Sequence, residues 1–443
     1  MVIVILIFLC LLAATFGVRP ANASGPVYIR ADGNVEPPEA PIQRNEDLYT
    51  LTANITSAAD GIVIEKDGIT IEGNGHTLQG GVVGNAFYLY GVSNVTIRNT
   101  RTRGFNYGMY LESTSGNIIQ GNDIAESTYD GISLYDAPNN IVLFNRIEDN
   151  DWSGVGLYYS SDNNITGNYI AGNYLGVSVL GSELNSMFHN TLVSNTNQAS
   201  SDNLPNTWDN GYPSGGNYWS DYSGVDTRCG PNQDYPGSDG IGDTTYTIDS
   251  ENTDRYPLMN PWIPPSGHDV AVISALSYKT AIGQGYSGNI TVYCANRGEY
   301  AETFNITLYS DTIPFASKTV HLEGGLTANT AFLWNTTGFA KDNYTLSASA
   351  DTVPGETNTT NNNFTGGWVV VVIVGDITGP IAGVPDGTVN MRDIGLVAKH
   401  FAETVPPAQP NCDLTGSTRG VPDGKIDMRD VGTVASNFGK TSL

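Results

Sequence analysis

Cysteine and basic residues are what this chain has least of. It holds 4 Cys in 443 residues, and Cys10 lies within the apolar N-terminal run. The other three, Cys229, Cys294 and Cys412, are scattered over distant regions. An odd, dispersed set gives no readable disulfide framework and no metal knuckle. Lys and Arg number 20 against 45 Asp and Glu, for a net charge of −25. Phosphate binding needs a basic face, so nucleic acid is excluded as a partner. The same charge suits divalent cations or salty surroundings. Beyond the N-terminus no apolar run can cross a bilayer. Trp368 to Val374 has seven residues, where about 20 are required.

Met1 to Gly17 is apolar and is followed by Arg19-Pro20-Ala21-Asn22-Ala23. The Ala-x-Ala ending predicts a signal peptide over residues 1–23. The usual positive n-region is missing, so either the true start differs from Met1 or the segment is retained as a membrane anchor. Six of the Asn-x-Ser/Thr sequons crowd between Asn289 and Asn363. With 51 Gly, 24 Tyr and only 15% charged residues, the expectation is a β-rich, secreted or cell-surface glycoprotein.

What the chain does have is repetition. Gly108, Gly131 and Gly154 fall 23 residues apart, and Gly176 follows 22 later. Beside them run Leu89, Leu111, Leu134, Leu157 and Val179, then Asn99, Asn122, Asn145, Asn168 and Asn190, then Ile124, Ile147, Ile170 and Leu192. A fixed period in the low twenties marks stacked coils that cannot bury their apolar faces alone. Within a coil apolar residues alternate, as in Gly131-Ile-Ser-Leu-Tyr, so the coils are strands and turns. This predicts a parallel β-helix, with a C-terminal cap, over residues 24–262. Asn tolerates the left-handed backbone of a sharp corner, and stacked Asn amides can bond from rung to rung. The Asn and Gly columns are therefore read as structural.

Stacking also sets chemistry in columns. Tyr129, Trp152 and Tyr174 form one. Tyr90, Tyr135 and Tyr158 form another, interrupted by Glu112. Outward aromatic faces suit the C–H faces of sugar rings, and equally stiffen a coil. Glu126 and Asp149 are 23 apart, with Asp130 and Asp151 close by. These carboxylates fit a solvated edge, a cation or sugar site, or an acid/base pair for glycosidic cleavage. A lyase would want a basic residue there. Arg98, Arg101, Arg103 and Arg146 are available, and the repeat has no Lys. The acidic stretch holding Asp234, Asp239 and Asp243 reads as a solvated turn or a calcium loop.

Gly-Ile-Thr-Ile-Glu-Gly-Asn-Gly-His-Thr-Leu at 68–78 and Asn-Asn-Ile-Thr-Gly-Asn-Tyr-Ile at 163–170 resemble the NosD-like right-handed β-helix family. The resemblance covers roughly residues 60–262. It implies a fold shared with carbohydrate-binding and sugar-hydrolysing β-helices; the motifs of β-helical polygalacturonases and pectate lyases are not readable. Some members are linked to copper delivery, but His76, His189, Met109 and Met187 are scattered, and soft ions want clusters. Residues 268–374 alternate in short strands with sandwich-like spacing. His268-Asp-Val-Ala-Val, Trp334-Asn-Thr-Thr-Gly and Val353-Pro-Gly-Glu-Thr-Asn resemble a CARDB-type immunoglobulin-like module, which implies a spacer or adhesion unit.

Residues 375–443 repeat once. Gly375 to Ala402 aligns with Cys412 to Gly439 at an offset of 37. Each copy carries Asp-x-Thr-Gly, an insertion, then Gly-Val-Pro-Asp-Gly-x-Val/Ile-Asn/Asp-Met-Arg-Asp and an apolar helical stretch. This is an EF-hand-like spacing of oxygen ligands, with Gly at the sharp turn. The first set is Asp376, Thr378, Asp386, Thr388 (carbonyl), Asn390 and Asp393. The second is Asp413, Thr415, Asp423, Lys425 (carbonyl), Asp427 and Asp430. The paired units resemble a dockerin, which implies bound Ca²⁺ and a cohesin-type partner. In that family the pair after position nine helps choose the cohesin. Here it is Met391-Arg392 and Met428-Arg429, and its identity in both copies predicts two equivalent faces. Two departures are the insertion and the Thr at position three.

The reading is a secreted modular protein. A β-helix binds carbohydrate, a sandwich follows, and a small α-helical calcium domain docks a partner. The alternative is a polysaccharide hydrolase or lyase acting on the β-helix face.

Overall fold

The computed structural model describes residues 25–441, so the expected signal peptide lies outside the described residues. The chain divides into two units. One comprises the described residues up to 210 with 215–223 and 245–262; the other comprises 211–214, 224–244 and the residues from 263 onward.

The first unit winds through three sheets of nine, eight and eight strands. Successive coils pair in parallel. Leu89, Leu111, Leu134, Leu157 and Val179 stand in direct register on the first sheet. Ile124, Ile147, Ile170 and Leu192 do so on the third. All are buried, so the two apolar columns of the sequence are the wall of one continuous core.

The glycine column is explained by those isoleucines. A Cβ on Gly131 would stand 2.6 Å from Cγ2 of Ile147 and 2.8 Å from the Gly154 carbonyl oxygen. On Gly154 it would stand 2.5 Å from Cγ2 of Ile170 and 2.7 Å from the Gly176 oxygen. The isoleucine one coil on occupies the place of the missing side chain, so close packing forbids anything larger.

The asparagines divide into two roles. Asn122, Asn145, Asn168, Asn190 and Asn217 form a buried ladder. Each backbone N–H and side-chain amide donates to the next Oδ1 at 2.9–3.0 Å. Asn99 is not in it. Thr100 takes that rung, its N–H donating to Oδ1 of Asn122 at 3.0 Å. Asn99 turns the corner one residue earlier at φ 56°, where the later coils place Gly121, Phe144, Gly167 and His189. Corners thus use the left-handed backbone, and ladder asparagines follow them.

Residues 252–254 end two ladders. Asn206 donates its N–H to Oδ1 of Asn252 at 2.9 Å. Asn217 donates to Oδ2 of Asp254 at 2.7 Å, and Trp219 Nε1 donates to the same oxygen at 2.8 Å. Burial pushes the Asp254 carboxyl up to about 7, against these donors.

In the second unit, a three-stranded sheet (Val270–Ser277, Ser287–Asn296, Thr327–Asn335) accompanies a five-stranded one. Fully buried Trp334 meets Phe315, Phe339 and Tyr344. Cys229 belongs to this core, so residues 224–244 fold with the sandwich. Cys229, Cys294 and Cys412 are free and buried. The tail contributes two short helices, α1 (Met391–Lys399) and α2 (Met428–Ser436). No helix among the described residues is long and apolar enough to cross a membrane.

Candidate functional site

Strand alternation sends Phe87, Met109, Ile132 and Val155 inward on the first sheet. The residues between them face out. Tyr88, Tyr110, Ser133, Gly156 and Ser178 form one outward file. Tyr90, Glu112, Tyr135, Tyr158 and Leu180 form the next. Large rings at the start of the first file give way to a floor of Ser and Gly.

The rings are continuous on the large side. Tyr88 stacks on Tyr110 at 5.9 Å, Tyr110 meets Tyr107 at 5.0 Å, and Tyr107 stacks on Tyr129 at 5.3 Å. Tyr88 also donates its hydroxyl to Glu112 Oε2 at 3.3 Å. Trp152 stacks on Tyr174 at 5.1 Å, and Tyr135 sits edge-on to Tyr159 at 5.9 Å. Tyr129, Trp152, Tyr174 and Tyr135 are 42–49% exposed, open enough to meet a ligand. Tyr158 differs. Its ring lies across Gly156, where an added Cβ would come within 2.6 Å of Cε2 and 2.8 Å of Asp130 Oδ2.

Asp130 is the buried polar centre of this face, 2% exposed. Ser153 N–H donates to its Oδ1 at 3.1 Å. Burial pushes the carboxyl up, opposed by the Ser153 N–H. Tyr158 is pushed up by burial and by Asp130, and Tyr107 is pushed up to about 12 for the same two reasons. The face therefore combines aromatic rings, hydroxyls and one buried carboxyl whose pKa is raised by burial.

The other acidic candidates sit elsewhere. Glu126 and Asp149 are exposed corner residues at φ 61° and 51°. The Asp149 carboxylate leans over Gly172, whose added Cβ would be 2.4 Å from Oδ1. Asp151 is exposed. The arginines are paired on the other two sheets: Arg98 with Glu72, Arg101 and Arg103 with Asp123, and Arg146 with Glu148. None of these pairs brings a cation to Asp130.

Tyr88, Tyr107 and Tyr110 were not singled out from the sequence. Tyr88 and Tyr110 are 22 apart and Tyr107 precedes Asp130 by 23, so extending the period to these positions would have found them.

The acidic stretch of the second unit spends its carboxylates on its own backbone. Asp243 accepts from the Thr227 and Arg228 N–H groups, and Asp239 from those of Gly230 and Ile241. Asp226 accepts from the Asp239 and Gly240 N–H groups, while Asp234 is exposed. Burial pushes Asp239 up to about 6.

The two tail loops share one pattern. Asp376 accepts the N–H groups of Asp386 and Gly387 at 3.2 and 2.9 Å. Asp413 accepts those of Asp423 and Gly424 at 3.2 and 2.8 Å. Asn390 and Asp427 are the helix N-caps, and Asp393 and Asp430 close the capping boxes. Thr378 and Thr415 accept from Gly383 and Gly420, ordering the insertions. The Thr388 carbonyl accepts from the Asn390 amide. Lys425 N–H donates to Asp423. Met391 and Met428 are each 66% exposed, with Arg392 and Arg429 beside them. Among the described residues no three His, Cys, Asp or Glu side chains are gathered as a ready-made metal cluster.

Residues 39–224 match the NosD family, described as periplasmic copper-binding protein. Residues 269–366 match the CARDB family. No curated protein sequence matches the chain. Among solved structures, the chain is similar to the CARDB domain of a Pyrococcus furiosus protein in complex with di-metal ions. That likeness has 22% identity and a TM-score of 0.22, and covers 24% of this chain and 96% of that one. The periplasmic alginate epimerase AlgG is matched at 19% identity and a TM-score of 0.30, over 34% of this chain and 38% of that one. The enzymatically active domain of bacteriophage CBA120 tailspike protein 2 is matched at 12% identity and a TM-score of 0.24, over 72% and 70%.

Copper does not fit the candidate ligands among the described residues. Met109 and Met187 are wholly buried among apolar side chains. His189 is stacked on Trp262 at 4.9 Å. Among the described residues no group of three His, Cys, Asp or Glu side chains includes His76 or His189.

Proposed function

We propose that the protein acts outside the cytoplasm as a modular binding protein, holding carbohydrate on the outer face of the first β-helix sheet. The observation that carries this reading is the unbroken ring contact Tyr88–Tyr110–Tyr107–Tyr129 beside buried Asp130. Sugar rings stack on such faces while hydroxyls and a carboxyl bond their edges. The test is retardation of the full chain in affinity electrophoresis against a panel of acidic and neutral polysaccharides. Tyr107→Ala with Tyr110→Ala is expected to abolish it. Equal retardation of the variant would sink the reading.

The catalytic alternative rests on one observation, the buried Asp130 carboxyl set beside the Tyr158 ring over Gly156, where burial raises its pKa. A protonated buried acid can protonate a glycosidic oxygen. It predicts release of reducing sugar or unsaturated uronate, lost in Asp130→Asn.

For the tail we propose Ca²⁺ binding and docking to a cohesin-type domain. The donor set is hard oxygen, as that ion prefers. Burial with Asp393 and Asp386 nearby pushes Asp376 up to about 6, and a divalent ion would relieve that crowding. Met391, Arg392, Met428 and Arg429 supply the exposed apolar and cationic contacts. Calcium is expected to raise the melting temperature of the tail, and Asp393→Ala with Asp430→Ala to remove the rise.

A further inference from the structure

The two acidic loops are alike in sequence and in backbone bonding, yet they stand in different electrostatic surroundings. Asp430 Oδ1 accepts the N–H groups of Leu414 and Thr415 at 2.7 and 2.9 Å. Asp393 Oδ1 accepts those of Ile377 and Thr378 at 2.8 and 3.0 Å. The same carboxylate centre is therefore built twice.

Only the second loop receives a lysine. Lys279 precedes the edge strand Ala281–Gly283 of the five-stranded sheet, and only 8% of it is exposed. Its ammonium donates to the backbone oxygen of Asp413, where burial pushes its pKa down to about 8 and the nearby Asp413 and Asp430 carboxylates oppose that shift. Asn411 fixes its approach. Oδ1 of Asn411 accepts from the Thr280 and Ala281 N–H groups at 3.1 and 3.3 Å, and Nδ2 donates to Thr280 Oγ1 at 2.9 Å. Arg429 pairs with the outer carboxylates, reaching Asp423 Oδ2 at 2.9 Å and, through Nε, Asp427 Oδ2 at 3.0 Å.

The first loop lacks this arrangement. Asn390 stands where the second loop has Asp427, and Arg392 is 3.7 Å from Asp386. The charged groups acting on Asp376 are Asp393 and Asp386, both negative. Buried charges must be paired, because an isolated one loses its hydration without return. The second loop has a buried cation on Asp413, whereas the first has only the exposed Arg392 at its outer carboxylate Asp386.

We infer that Lys279 is the resident counter-cation of the second acidic loop, so that the tail takes one divalent ion, in the first loop, rather than two. This rests on the calcium reading of the tail. The lysine also fastens the second loop to the sandwich edge, which makes the repeats unequal despite their identical Met-Arg pairs.

The test is calcium stoichiometry on the metal-stripped full chain, by titration calorimetry and native mass spectrometry. One ion per chain is expected, lost in Asp376→Asn. Lys279→Met is expected to raise the count to two. Two ions in the wild type overturn the inference without need of any variant. So does a folded Lys279→Met that stays at one. A wild type binding no calcium overturns the calcium reading itself, and the lysine is then judged by hydrogen exchange in EDTA. Faster exchange of the Leu414 and Thr415 amides in Lys279→Met supports the counter-cation role, and unchanged rates overturn it.

Discussion

Replacing Asn145 with alanine tests the internal logic of the β-helix. Asn145 is 1% exposed. Its Oδ1 accepts from the Asn122 backbone N–H at 2.9 Å and from the Asn122 amide at 3.0 Å. Its own amide donates to Asn168 Oδ1 at 3.0 Å and to the Ile119 carbonyl at 2.8 Å. Alanine leaves the Asn122 N–H and the Ile119 oxygen without these partners. The Asn122 amide retains the Ile97 oxygen, and Asn168 Oδ1 retains the Asn145 N–H. The orphaned Asn122 N–H at about 1–3 kcal/mol, with the two lost bonds of the Asn145 amide at about 0.5–1.5 kcal/mol each, predicts a loss of about 2–6 kcal/mol. The natural control is Asn99→Ala. Asn99 is exposed and its amide bonds Glu72 at 3.1 Å, so its loss is expected to cost little beyond the roughly 1–2 kcal/mol of placing Ala at φ 56°. Urea unfolding followed by circular dichroism reads both. Equal effects at the two positions, or a cost below about 1 kcal/mol at Asn145, would refute the ladder argument.

Two further outcomes follow from the same coils. Gly131→Ala sets a methyl against Cγ2 of Ile147 and the Gly154 oxygen at 2.6 and 2.8 Å, and is expected to cost about 1–3 kcal/mol in thermal or urea unfolding; a neutral effect would mean the coils shift freely. Asp254 has a raised folded pKa, so it binds its proton more tightly folded than unfolded. Its stabilising contribution is full below the unfolded carboxyl pKa of about 3.9 and is lost as pH rises through about 7. The β-helix should therefore lose at most about 1.4 kcal/mol per pH unit across that window, and Asp254→Asn should flatten the dependence; a slope unchanged in the variant would contradict this assignment.

The coil period was legible because stacking forces equivalent residues to repeat their type. Leu111 above Leu89 and Ile147 above Ile124 are one physical requirement written twice. The same reading misplaced Asn99, because the step from Thr100 to Asn122 is 22 residues, while the next rungs are 23 apart. A corner and a ladder rung then look alike in a periodic alignment. The aromatic columns were located, but the collapse of the Tyr158 ring onto Gly156 depends on side-chain space that no periodicity encodes. Least legible were contacts made across the chain. Lys279 reaches Asp413 over 134 residues, and residues 224–244 join the sandwich core rather than continuing the coils. Local pattern carries no trace of either.

The central claim is that the outer face of the first sheet is a carbohydrate site. Its most direct measurement is the binding of the full chain to an immobilised polysaccharide panel, with Tyr107→Ala/Tyr110→Ala compared with Trp368→Ala, an exposed aromatic in the second unit. The account expects retention of the wild type and of Trp368→Ala, and at least a tenfold loss of affinity in the double variant. Retention unchanged in the double variant, or no retention of any of the proteins, would contradict it.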